Sequence, residues 1–150
     1  MNRFVAYVVR FAIILFGYAV ASLAASAFLN ILFFASIGLM VHEASHAVPA
    51  SLLLSIPLVA LFVAYFAFMP SVVVILAAEI LGRRDWLFYA LAGAVVAGVF
   101  LGLVDRADDT TFAVTGPGAI MAVIGGGMVG GIFYWLGAGR WAGSWWRDDP

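Results

Sequence analysis

The chain has two histidines, and both stand in His42-Glu43-Ala44-Ser45-His46, an H-E-x-x-H run. Residues four apart share a face of a helix, so the two imidazoles could close on one zinc ion. The glutamate beside them could polarise a metal-bound water as general base. Val41 precedes the run, Ala47 and Val48 follow it, and Pro49 lies beyond, where it can end a helix without interrupting the motif. A zinc hydrolase needs a third protein ligand and an open position for water. Asp105, Asp108 and Asp109 are the candidates for that ligand. The chain has no cysteine, which excludes thiolate sites and disulfides. The same residues could instead form a polar or pH-sensitive turn, since imidazole titrates at about pH 6.5 and acidic neighbours raise its pKa.

The motif resembles that of the site-2-type membrane metalloproteases, which combine H-E-x-x-H on a membrane helix with a distant aspartate. The resemblance rests on His42, Glu43 and His46. It implies zinc as cofactor, with Glu43 as the catalytic base. The chain departs from the family in three ways, one being that it is very short for a protease with a substrate-gating element. The family's aspartate sits in a Leu-Asp-Gly-like motif, whereas Asp105 is followed by Arg106 and Ala107. The family's site faces the cytoplasm, whereas the topology derived below puts this motif on the outer face.

The elements that must position these residues follow from hydropathy. Of the 150 residues, 66% are hydrophobic and 10% are charged, and the mean hydropathy is +1.14. A soluble domain carries about a quarter charged residues, so this chain lacks the polar surface to face water. In a bilayer every backbone polar group must be paired internally, so the spanning units are helices or closed barrels. Four apolar stretches, at about 11–41, 50–81, 86–104 and 116–136, are near or above the roughly 20 residues a spanning helix needs. They lack the alternation of barrel strands. The fold expected is therefore all-α, a single polytopic domain of four transmembrane helices. Net charge is −1 and no basic run suggests nucleic acid, so the partners expected are the lipid bilayer and another membrane protein or a second copy of the chain.

Orientation follows from arginine, since lysine is absent. With the N-terminus inside, Arg3, Arg10, Arg83, Arg84, Arg140 and Arg147 fall on the cytoplasmic side and Arg106 outside, as the positive-inside rule requires. Trp86, Trp135, Trp141, Trp145 and Trp146 then lie at or just beyond the same interface. Both termini are expected in the cytoplasm. The first two stretches are overlong for a core of about 30 Å, so their helices should tilt or project together beyond the outer face. Pro57 and Pro70 should kink the second helix, and a break at Pro70 would leave 71–81 as a short segment. Glu79 and Arg83, four apart, could pair there. A competing reading of the N-terminus is a signal peptide, with Arg3 and Arg10, an apolar stretch and then Ala25-Ser26-Ala27.

Small residues recur every four positions at Ala90, Ala94, Gly98 and Gly102, and again at Gly118, Ala122, Gly126 and Gly130. Such ladders let helix backbones approach closely, so the third and fourth helices are expected to pack tightly, or one ladder to face another copy. Gly125, Gly127 and Gly130 fit G-x-G-x-x-G, but no strand precedes them and the dinucleotide reading fails on context. Ser22, Ser26 and Asn30 form a polar stripe on the first helix, suited to hydrogen bonds with a neighbouring helix or to a polar pathway. The stretch 130–140 resembles the last-helix ending of small bacterial inner-membrane proteins, which implies a multi-pass location there. Three functions follow. The leading one is a non-catalytic assembly or accessory subunit without a cofactor. The others are a zinc-dependent membrane hydrolase and a small transporter subunit.

Overall fold

The structure is a computed structural model that describes residues 3–36, 47–106 and 116–143. It has four helices long and apolar enough to cross a membrane. They are α1 (Arg3–Ser36), α2 (Ala47–Leu81), α3 (Trp86–Arg106) and α4 (Pro117–Gly137), and a 3-10 turn (Gly139–Trp141) follows. No strand occurs among the described residues. The chain is an all-α, multi-pass membrane protein.

Burial is inverted relative to a soluble bundle. The buried residues are mostly small or polar: Ala25, Ala60, Ala78, Ala90 and Ala97 lie inside with Ser22, Ser26, Asn30 and Glu79. The large apolar side chains face outward, and on α2 Leu61 and Tyr65 are 70% and 77% exposed. A surface of that kind is stable only against hydrocarbon. Lipid offers no hydrophobic drive between helices, so association must come from close backbone approach and hydrogen bonds, which small and polar residues supply.

α4 is the central helix. Its largest contacts are with α3 and α1, α2 rests mainly on α1, and α2 touches α3 more lightly. Two faces of α4 carry this. An added Cβ on Gly127 or Gly131 would come within 2.3 Å of the Gly93 carbonyl oxygen or 2.0 Å of that of Tyr89, both on α3. On the adjacent face a Cβ on Gly130 would be 3.3 Å from the Ala21 carbonyl oxygen of α1, and one on Gly126 would be 3.3 Å from Leu29. The two Gly-Gly pairs thus let one helix press closely against two others.

α3 and α4 match the apolar stretches that define them to within two residues. α1 differs. It begins at Arg3 rather than near position 11, so Arg10 lies two turns inside the helix. Gly17 meets Gly137 and Ala138 at the last turn of α4, so the excess length of α1 runs past that turn. α2 is one uninterrupted helix through Pro57 and Pro70, with no break at Pro70. A single proline removes one ladder hydrogen bond, and the remaining backbone bonds on either side sustain the helix.

Candidate functional site

The start of α1 and the ends of α2 and α4 meet around one ion pair. Arg10 donates from Nη2 to Oε1 of Glu79, 69 residues away in sequence, and the two side chains are 14% and 11% exposed. Both Nη atoms of Arg10 also lie 3.4 Å from the Ala138 carbonyl oxygen. Glu79 Oε2 accepts the Gly143 backbone N–H at 3.2 Å. Glu79 therefore pairs with Arg10 and not with Arg83 as its spacing suggested. The cause is local: α2 ends at Leu81, and Gly82, at φ 58°, turns Arg83 off the helix face. Arg83 stands instead 3.8 Å from Asp85 at an exposed position.

Two turns close this end of the bundle. Gly143 adopts φ 65°, and a Cβ there would lie 3.0 Å from the Gly82 Cα, so the turn after α2 and the turn after α4 are in contact. Arg84 Nε donates to the Ala142 carbonyl at 2.9 Å, and Trp135 Nε1 donates to the Arg84 carbonyl at 2.5 Å. Tyr89 donates to the Arg83 carbonyl at 3.1 Å. The Arg140 guanidinium lies 3.9 Å from the centroid of the Trp141 ring. The arginines and tryptophans of this region thus lie at one end, knit through backbone carbonyls. Sequence reasoning left Arg10 outside the first span and so missed the ion pair. A signal existed, because Glu79 is the single carboxylate within any of the four apolar stretches.

The polar stripe of α1 is the seam to α2. Ser26 Oγ donates to the Ile56 carbonyl at 2.7 Å, and Ser55 Oγ donates to Asn30 Oδ1 at 2.6 Å. Asn30 Nδ2 returns to the Ser26 carbonyl at 2.9 Å, and Tyr18 OH donates to the Ala64 carbonyl at 2.6 Å. Ser22 Oγ bonds within α1, to the Tyr18 carbonyl at 3.0 Å. A carbonyl oxygen has two lone pairs, so those of α2 can serve both the helix and the seam.

Between α2 and the other three helices lies a cavity of about 240 Å³. Its walls are mostly apolar, with Phe62, Phe66 and Phe100 on one side and the α4 glycines on the other. Tyr18, Ser22, Ser71, Tyr89 and Tyr134 supply hydroxyls to its lining.

Of the candidate metal residues, His42, Glu43, His46, Asp108 and Asp109 lie outside the described residues. Asp105 is exposed near the end of α3. Among the described residues no group of three His, Cys, Asp or Glu side chains could hold a metal ion. Of the small-residue ladders, Ala90 is buried beside the α4 contact, where Gly131 would bring a Cβ within 3.2 Å of its Cα. Gly126 and Gly130 face α1, whereas a Cβ on Gly98, Gly102 or Gly118 would meet nothing within 4 Å. The α3 residues at the close approach to α4 are Tyr89, Gly93 and Ala97.

No family model, curated protein or solved structure matches this chain.

Proposed function

We propose that the chain is a non-catalytic subunit of a bacterial inner membrane, with both termini in the cytoplasm, that works by associating with another membrane protein or a second copy of itself. The observation that carries this reading is the outer face of α3. Gly98 and Gly102, one G-x-x-x-G spacing, are left open, while the close approach to α4 uses Gly93 and Ala97 instead. A small-residue face turned to lipid lets a further helix approach closely. Use of the Ser26, Asn30 and Ser55 side chains within the α1–α2 seam supports a structural role for the stripe over a solute pathway. The arginine and tryptophan end supplies the interfacial anchors that fit a cytoplasmic side.

The test is cross-linking and co-purification from native membranes. A specific oligomer or partner should be recovered with the wild-type chain and lost with Gly98→Leu or Gly102→Leu, while the thermal stability of the bundle is unchanged. Recovery that is indifferent to both substitutions would overturn the reading.

A further inference from the structure

The cavity between α2 and the other helices bears on ligands rather than on assembly. An engineered apolar cavity of about 150 Å³ is enough to hold benzene. The space here, about 240 Å³, is larger and has mostly apolar walls. One lining group is out of keeping with the rest. Tyr134 is 6% exposed, and its hydroxyl has no hydrogen-bond partner among the described residues. The other tyrosines of the lining are satisfied, Tyr18 by the Ala64 carbonyl and Tyr89 by the Arg83 carbonyl. Buried polar groups are as a rule hydrogen-bonded, and a phenol with no partner in the protein is suited to receive one from a ligand. Tyr134 belongs to the cluster with Tyr89, Ala78 and Ala138, toward the arginine-rich end. The phenylalanine walls extend away from it, with the rings of Phe66 and Phe100 in edge contact at 5.6 Å across the lightly packed α2–α3 seam.

We infer that this cavity binds a molecule with one apolar chain and one uncharged hydrogen-bond-accepting oxygen, such as an ester or ketone. The oxygen accepts from Tyr134 OH, and the chain lies between α2 and the α4 glycines. Access is from the bilayer through the Phe66–Phe100 contact, because that seam is the least tightly packed of those around the cavity. An unpaired ion would be costly among these walls, so of a bilayer lipid only one acyl chain and its ester enter, and the charged headgroup stays outside. The ester can belong to a bilayer lipid or to a free single-chain molecule, and the experiment separates these sources.

The probes are methyl decanoate and decane, added to purified full-length chain and read by thermal shift and by the ester carbonyl stretch in the infrared. Methyl decanoate should bind about tenfold more tightly than decane, the equivalent of one net hydrogen bond, and its carbonyl band should shift to lower frequency. Tyr134→Phe should abolish that shift and the tenfold preference while leaving decane binding unchanged. Val63→Trp, which fills the space from α2, should abolish binding of both; Ala67→Leu is the smaller filling variant should tryptophan prevent folding. Native mass spectrometry gives the source. A phospholipid retained by the wild type and lost in Tyr134→Phe assigns the ester to the bilayer, and ester binding without such retention assigns it to a free molecule. A carbonyl shift that persists in Tyr134→Phe, or binding that survives in a folded filling variant, would overturn the inference.

Discussion

Arg10 and Glu79, 69 residues apart in sequence, form a mostly buried ion pair that joins the start of α1 to the end of α2. The Ala138 carbonyl and the Gly143 N–H bring the segment after α4 to the same pair. Removing one partner of a buried pair strands the other, at a cost of about 3 kcal/mol or more. Arg10→Met and Glu79→Leu should therefore each lower the unfolding temperature sharply in detergent. Replacing both together leaves no stranded charge, so the double variant should recover most of the loss. A thermodynamic cycle over these variants measures the coupling, and simple additivity would show that the pair contributes nothing specific.

The glycines divide into two classes with opposite expected outcomes. At Gly93 and Gly131 an added Cβ would stand 2.0 Å from a backbone oxygen of the facing helix. Backbone cannot move aside as a side chain tip can, so Gly93→Ala and Gly131→Ala should separate α3 from α4. The loss should be about 3 kcal/mol or more, at the upper end of overpacking costs. Gly98→Ala and Gly102→Ala meet open space and should be neutral, or stabilising by roughly 0.5–1 kcal/mol through helix propensity. Thermal denaturation of the four variants checks the division. Equal effects at all four positions would contradict it.

That division also marks what the sequence could convey. The existence of four helices was legible because each apolar stretch is long enough to span and is bounded by polar or turn residues, as at Gly82–Asp85 and before Pro117. The helix face used by each glycine was not. Gly126 and Gly127 are neighbours in sequence but point about 100° apart, and one serves α1 while the other serves α3. The longer small-residue row runs through Gly126, whereas Gly127 has only Gly131 beside it before Val123 and Trp135, and only the position of the partner helices shows which row meets which. Arg10 was hidden for a related reason. A charge inside an apolar helix reads as a boundary until its distant counter-ion is placed beside it. The Ser22, Ser26 and Asn30 stripe was legible as a face, but its links to α2 run from Ser26 to the Ile56 carbonyl and from Ser55 to Asn30, and a backbone carbonyl carries no sequence signature.

Orientation is open to a direct test, because the chain has no native cysteine and single cysteines report without background. Asp85→Cys lies at the arginine-rich end and Arg106→Cys at the other, and both positions are exposed. With both termini in the cytoplasm, a membrane-impermeant maleimide added to intact cells should label position 106 and spare position 85. After the membrane is opened, both should label. The reverse pattern would invert the proposed topology, together with the assignment of the arginine and tryptophan end to the cytoplasmic side.

Metal content tests the non-catalytic reading against the zinc hydrolase implied by His42, Glu43 and His46. Zinc binds the neutral imidazole and competes with protons for it, so a site through these histidines should weaken as pH falls, and the comparison is made between about pH 6 and 8. It also requires a third protein ligand, and Asp105, exposed near the end of α3, is the described candidate. On the non-catalytic reading, protein purified without chelator and supplied with zinc across that window should hold less than one ion per chain, and His46→Ala should change nothing. Under the zinc reading a stoichiometric ion should be present and released as pH falls and the histidines protonate. His46→Ala should remove it, and Asp105→Asn should weaken it if that aspartate is the third ligand. One zinc per chain lost in His46→Ala would displace the accessory-subunit reading in favour of a metal site, and hydrolysis that fails in Glu43→Gln with zinc retained would then identify the base.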